Sequence, residues 1–178
     1  VYNAATVQTI AQYYPIASMK DIRIKSFLGS PKSPWEKSLV NVGGRSYSLN
    51  EIENEVLRKG FKDPQVHFAL VCASVSCPNL LGEAYDGTKL KKQLNGQASR
   101  FINDPSKNSI TPGKAQISNI FDWYVADFGN NDQGIITYLN RYAKVPIAPG
   151  TKLEFLPYDW NLNERPEYPV PPPTAKRE

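Results

Sequence analysis

The sequence predicts an α+β fold, with helices packed around a small, mainly antiparallel sheet. Three observations carry that reading. Apolar stripes at helical spacing outnumber strand-like runs. One continuous apolar run, residues 66–72, lies between Pro64 and Pro78 as a strand buried on both faces would. The connections are too irregular for alternating βα units, and no internal repeat is present.

Taken in order, the elements rest on local signals. Val7, Ile10, Ala11 and Tyr14 open a helical stripe almost at once, and Val1 offers no capping side chain. The chain is therefore expected to start inside its first helix, which would be truncated at its beginning. Residues 39–47 read as a hairpin around Gly43-Gly44. Ser48 and Glu51 form a capping box before the stripe Leu49, Ile52, Val56 and Leu57, and Gly60 is expected to end that helix. The run at 66–72 is the expected central strand. A further helix spans about 87–103 through Leu90, Leu94, Ala98, Phe101 and Ile102. Strands are expected at 115–117 and 152–156. Two short helices start at Ser118 and Asp132, separated by Gly129-Asn130-Asn131. Five of the 15 prolines, Pro166, Pro169, Pro171, Pro172 and Pro173, crowd the end. Proline fixes φ and lacks an amide donor, so one globular domain over 1–164 and an extended proline-rich tail over 165–178 are expected.

Composition excludes several function classes. The net charge is +4 from 21 basic and 17 acidic residues. The densest basic run, Lys89, Lys91 and Lys92, falls on a helix whose steps of about 100° scatter it, so no nucleic-acid face is expected. The longest apolar run is six residues, against the roughly 20 of a membrane span, so no transmembrane segment is expected. One His and two Cys rule out zinc sites built from four cysteines or from two cysteines and two histidines, and no cofactor or metal is expected.

The scarce reactive residues all lie between His67 and Cys77. His67 is the only imidazole, and Cys72 and Cys77 are the only thiols. On a strand, His67 would face with Ala69 and Val71, and Cys72 would point the other way. That alternation disfavours Cys72 as its partner. Cys77, where the chain leaves the run, becomes the candidate nucleophile with His67 as base, and Ser74, Ser76 or nearby amides would bind an oxyanion. Blander readings stand beside it: a core histidine, an inert Cys72, or a Cys72–Cys77 disulfide. A second idea has Trp35, Trp123, Tyr124, Tyr158, Asp159 and Trp160 converging on one cleft, with Asp122 as a further acid.

The run from Val66 through Cys72 and Cys77-Pro78, followed by Glu83-Ala84-Tyr85, resembles the central signature of the domain of unknown function 547 family. Agreement extends to Tyr2-Asn3-Ala4, Ser33-Pro34-Trp35, Ser48-Leu49-Asn50-Glu51, Phe101-Ile102-Asn103, Phe121-Asp122-Trp123-Tyr124 and Pro157-Tyr158-Asp159-Trp160. The resemblance covers Val1 to about Asn163. It implies a domain whose activity is not established and, for a bacterial-type member, frequent export, which favours a periplasmic or secreted location. Relatives carry a longer Trp-x-Asn-x-Tyr-Asn motif, of which only Tyr2-Asn3 stands here. The binding candidates are Asn3, Ser74, Ser76, Tyr85, Asp122 and Trp123. The first functional reading is a binding or scaffold domain for a peptide, glycan or protein partner. The alternative is a cysteine-dependent hydrolase or acyl transferase of papain-like or transglutaminase-like type, by analogy of layout alone.

Overall fold

The structure is a computed structural model, and it describes residues 1–25 and 29–164 of the chain. The proline-rich tail expected at 165–178 lies outside the described residues. The architecture is α+β.

Helix α1 (Tyr2–Tyr13) buries Tyr2, Thr6 and Thr9 rather than the face of Val7, which is exposed. The two threonines meet the cost of burial by bonding back to carbonyls one turn earlier, Thr6 Oγ1 to Tyr2 and Thr9 Oγ1 to Ala5. Strands β1 (Ser38–Val42) and β2 (Arg45–Ser48) form the expected antiparallel hairpin. Gly43 and Gly44 take φ values of 59° and 80°, as a two-residue turn with both central residues left-handed requires.

The capping box forms reciprocally, with Glu51 N–H donating to Ser48 Oγ at 3.1 Å and Ser48 N–H to Glu51 Oε2 at 2.7 Å. It opens a π-helical stretch, Glu51–Arg58, which continues into α2 (Lys59–Phe61). The helix passes through Gly60 and stops at Lys62, whose φ is 51°, just before Asp63-Pro64. Proline disfavours helix in the residue before it, so the stop falls there rather than at the glycine.

The run at 66–72 is not a central strand. Its first part is a single helical turn, α3 (Val66–Ala69), and from Leu70 the backbone is extended. Asp63 Oδ1 accepts the Gln65 amide at 2.9 Å and begins the turn. An apolar run buried on all sides suits a helical turn as well as a strand, and periodicity cannot separate the two. Beyond α3, the amides of Val71 and Cys72 find side chains, Asn3 Oδ1 and Cys77 Sγ, instead of a neighbouring strand.

Helix α4 (Leu90–Ile102) starts about three residues later than expected and buries Ala98, Phe101 and Ile102 of its stripe together with Gln93 and Gln97, while Leu90 is exposed. Strands β3 (Ser109–Thr111), β4 (Lys114–Ser118) and β5 (Leu153–Leu156) make the second sheet, with β3 antiparallel and β5 parallel to β4. Between β4 and β5 lie α5 (Ile120–Trp123), a 3-10 turn at Val125–Phe128, and α6 (Asp132–Leu139). Asn131, not Asp132, caps α6 by accepting the Gly134 amide at 2.9 Å. A Cβ on Gly134 would stand 2.6 Å from the Phe128 carbonyl oxygen, so only glycine allows this approach.

Two apolar clusters form the interior. The larger gathers Phe68, Ala98, Phe101, Ile117, Phe121, Phe128, Ile135, Ile136 and Leu139. The smaller joins Tyr2, Met19, Ile22, Val40 and Leu49, with Leu70 packed against it. Residues 68 and 70 thus pin the segment carrying the thiols to both. No helix among the described residues is long and apolar enough to cross a membrane.

Candidate thiol site

Three clamps fix the backbone around the thiols. Asn3 mimics a strand partner, donating through Nδ2 to the Ala69 carbonyl at 2.8 Å and accepting the Val71 amide at 3.0 Å. Gln97 of α4 donates to the Asn79 carbonyl at 2.7 Å. The segment 158–163 returns alongside 73–76. Val75 N–H donates to the Asn161 carbonyl, Ser76 N–H to that of Asp159, Asn163 N–H to that of Ala73, and the Asp159 amide to Ser76 Oγ. This return is itself held by Ser18 Oγ, which donates to the Trp160 carbonyl at 2.7 Å.

Within that frame Ala73 has a φ of 60°, a left-handed conformation that L-residues other than asparagine and aspartate seldom adopt. Such strain persists only where surrounding bonds over-determine it. The chain then turns again, Cys77 N–H donating to the Ser74 carbonyl at 3.0 Å, and brings Cys77 Sγ to 2.8 Å from the Cys72 amide.

Both cysteines are free thiols, and their environments differ sharply. Cys72 is partly exposed and Cys77 is buried, 2% accessible. Ser74 Oγ and Tyr158 OH lie 3.0 and 3.2 Å from Cys72 Sγ, so both hydroxyls can donate to that sulfur when it is ionised. The neighbouring Cys77 side chain first, then the Ser74 and Tyr158 hydroxyls, outweigh burial and bring the Cys72 thiol down to about 6. Cys77 moves the other way: burial, then the neighbouring Cys72 sulfur, push its thiol well above the ordinary range.

His67 belongs to a different cluster. Its Nε2 lies 2.7 Å from Asp127 Oδ2, and its ring stacks on Tyr124 at 3.9 Å. Arg58 Nε donates to the same Asp127 oxygen at 2.7 Å, and its guanidinium covers the Tyr124 ring. Tyr124 OH and Tyr2 OH both donate to Glu53. The π-helical winding explains how Glu53 and Arg58 serve one cluster. Residues five apart would point about 140° apart on an α-helix, whereas i→i+5 pairing returns them to one side. Burial lowers the His67 pKa more than Asp127 raises it, and the Arg58 and His67 hydrogen bonds hold Asp127 below the usual carboxylate range despite its own desolvation. Among the described residues, the His67 ring bonds to Asp127 and to neither sulfur.

The remaining candidates separate into two groups. Trp123, 44% exposed, stacks against Trp160 at 5.7 Å and packs tilted against Tyr158 at 4.8 Å, and Trp35 meets Trp160 edge-on at 6.2 Å. Lys20 Nζ sits 3.9 Å above the Trp160 ring. Four of the aromatics expected to converge therefore form one wall, and Tyr158 joins it to Cys72. Tyr124 faces His67 instead. Ser74 and Ser76 lie in the thiol turn and Asn3 clamps it. Asp122 is exposed and enters none of these bonds, Asp159 caps its own turn at Asn161, and Tyr85 packs by α4 with its hydroxyl unpartnered among the described residues. Sequence reasoning missed Cys72 as the favoured thiol, Tyr158 as its donor, and the cluster of Asp127, Arg58 and Glu53. The order Cys72-Ala73-Ser74 was the only local hint for the first.

No group of three His, Cys, Asp or Glu among the described residues could hold a metal ion. Two basins of about 510 and 330 Å³ flank α4 around Arg100; Gln97 lines the smaller, and neither is lined by a cysteine or an aromatic of the wall. An aromatic flank borders the site through Tyr158. In comparisons with known proteins, residues 1–102 match a family described as "Protein of unknown function, DUF547". No curated protein and no solved structure matches the chain.

Proposed function

The chain belongs to the DUF547 family, proteins of unknown function, and from that premise we propose that the domain is a thiol enzyme in which Cys72 is the nucleophile. One observation carries the reading: the hydroxyls of Ser74 and Tyr158 stand 3.0 and 3.2 Å from the sulfur of the more accessible cysteine, while Cys77 Sγ is held 2.8 Å from the same residue's amide. Thiolate is the attacking form, and donors that favour it raise its population at neutral pH without an adjacent base. This assigns nucleophilic attack to Cys72, stabilisation of its charge to Ser74 and Tyr158, and support of the site to Asn3 and Ser76. His67, bonded to Asp127, acts as a structural anchor rather than as the base.

The aromatic wall favours a binding role as part of the same function. Trp123, Tyr158 and Trp160 offer stacking surface to a peptide or glycan beside the sulfur, so the wall would seat the molecule that Cys72 attacks.

The test is alkylation of the reduced, folded protein with iodoacetamide at about pH 6, followed by peptide mapping. Cys72 is expected to be modified and Cys77 spared, with modification lost in Cys72→Ser. Equal labelling of the two cysteines, or a resistant Cys72, would overturn the proposal.

A further inference from the structure

We infer that Cys77 is the resolving thiol of a thiol–disulfide exchange reaction, and that the electrophile attacked by Cys72 is a disulfide. The inference rests on the reading of Cys72 as nucleophile. It follows from an asymmetric pair, one sulfur reachable and one buried, folded onto each other by the turn at 74–77. The Cys72 amide points at Cys77 Sγ from 2.8 Å, which seats the second sulfur against the first residue's backbone.

The surroundings favour a disulfide over an acyl group. Acyl transfer needs donors for an oxyanion and a group to protonate the leaving atom. Here the Cys72 amide is already engaged by Cys77 Sγ, and His67, the only imidazole, is engaged by Asp127. Thiol exchange needs neither, because a thiolate leaves as an anion. The wall of Trp123, Tyr158 and Trp160, joined to Cys72 through Tyr158, suits a disulfide carried between apolar or aromatic groups of a polypeptide.

The steps balance without another reagent. The Cys72 thiolate attacks one sulfur of R–S–S–R′, forming a Cys72–S–S–R bond and expelling R′–S⁻, which takes a proton from water. Cys77 then loses its proton to solvent, and its thiolate attacks Cys72 Sγ, breaking the mixed disulfide and expelling R–S⁻. Two electrons pass from the dithiol to the substrate, leaving a Cys72–Cys77 disulfide and two thiols. The first step prepares the second. Burial keeps Cys77 protonated, but the Cys72 charge also contributes, and that contribution vanishes once Cys72 is in a neutral mixed disulfide. The Cys72 amide remains as a donor to a Cys77 thiolate.

The aromatic disulfide 5,5′-dithiobis(2-nitrobenzoic acid) tests this on the reduced full chain, with released thiol read by absorbance and the protein by intact mass. Wild type is expected to release two thiols per chain and finish two hydrogens lighter, with no aryl group attached. Cys77→Ser, which keeps a donor near Cys72, should release one thiol and retain one aryl group. Since an intramolecular thiol acts at an effective concentration of about a millimolar or more, the mixed disulfide should live about a hundredfold longer in that variant at about 10 μM protein. Wild type that retains an aryl group on Cys72 overturns the resolving role and leaves Cys72 as a nucleophile. Wild type that releases no thiol sinks both readings.

Discussion

Removing the Cys77 thiol should move the pH at which Cys72 becomes reactive. In the wild type that midpoint is expected near 6, against about 8.5 for an ordinary cysteine. At pH 5 the difference gives about 290 times more thiolate than an unperturbed thiol would carry. Intrinsic nucleophilicity falls with pKa, however, and a Brønsted slope of about 0.45 over about 2.5 units takes back a factor of about 13. The net advantage is about 20-fold at pH 5 but only about twofold at pH 7. Rates must therefore be followed on the acidic side, by iodoacetamide consumption between about pH 4.5 and 9.5, where the midpoint is independent of how far burial slows the reagent. Cys77→Ala removes the neighbour that lowers the Cys72 thiol most, so its midpoint should rise toward the ordinary thiol range, stopping short because Ser74 and Tyr158 remain. Cys77→Ser should lie between the two. A wild-type midpoint at or above about 8, or an unchanged midpoint in Cys77→Ala, would refute the reasoning.

Two further outcomes concern stability. Ala73→Gly relieves a left-handed strain of about 1–2 kcal/mol and loses about 0.4–1 kcal/mol through a freer unfolded chain, so urea unfolding should show a net gain of about 0.5–1 kcal/mol; a loss would mean that Ala73 is not strained. Because burial lowers the His67 pKa in the folded state, the unfolded chain binds the proton more tightly. Stability should therefore fall as pH drops below about 6.5, the ordinary histidine value, and this segment of a pH series of urea midpoints should disappear in His67→Gln. An identical slope in that variant would assign the fall to carboxylates such as Asp127.

How much of the fold could be read from the sequence depends on how local each signal is. The Gly43-Gly44 hairpin, the Ser48/Glu51 capping box and α4 depend on residues within a few positions of one another, and all three form. The run at 66–72 misled because its partners are not local. Asn3 and Cys77 take the amides a neighbouring strand would have taken, so a strand-like sequence ends as a helical turn and an extended segment. The π-helical winding at Glu51–Arg58 is invisible in an ordinary amphipathic pattern, and with it the meeting of Glu53 and Arg58 in one cluster. The scarcity of His and Cys directed the reading to residues 67–77. Which thiol is favoured was set by Tyr158, more than eighty positions away, and by the backbone at Ala73, whose left-handed φ no alanine advertises.

The return of 158–163 along the thiol turn has a practical consequence for anyone cutting the chain. The family match stops at residue 102, and a fragment trimmed there would contain both cysteines, His67 and Asn3. It would nonetheless lack Tyr158, the carbonyls of Asp159 and Asn161 that pair with 75–76, and Asp127 beneath His67. Such a fragment would carry every reactive group and little of what tunes them. Its cysteines would behave as ordinary thiols, and a negative result from it would say nothing about the domain. The smallest piece worth purifying ends after Asn163.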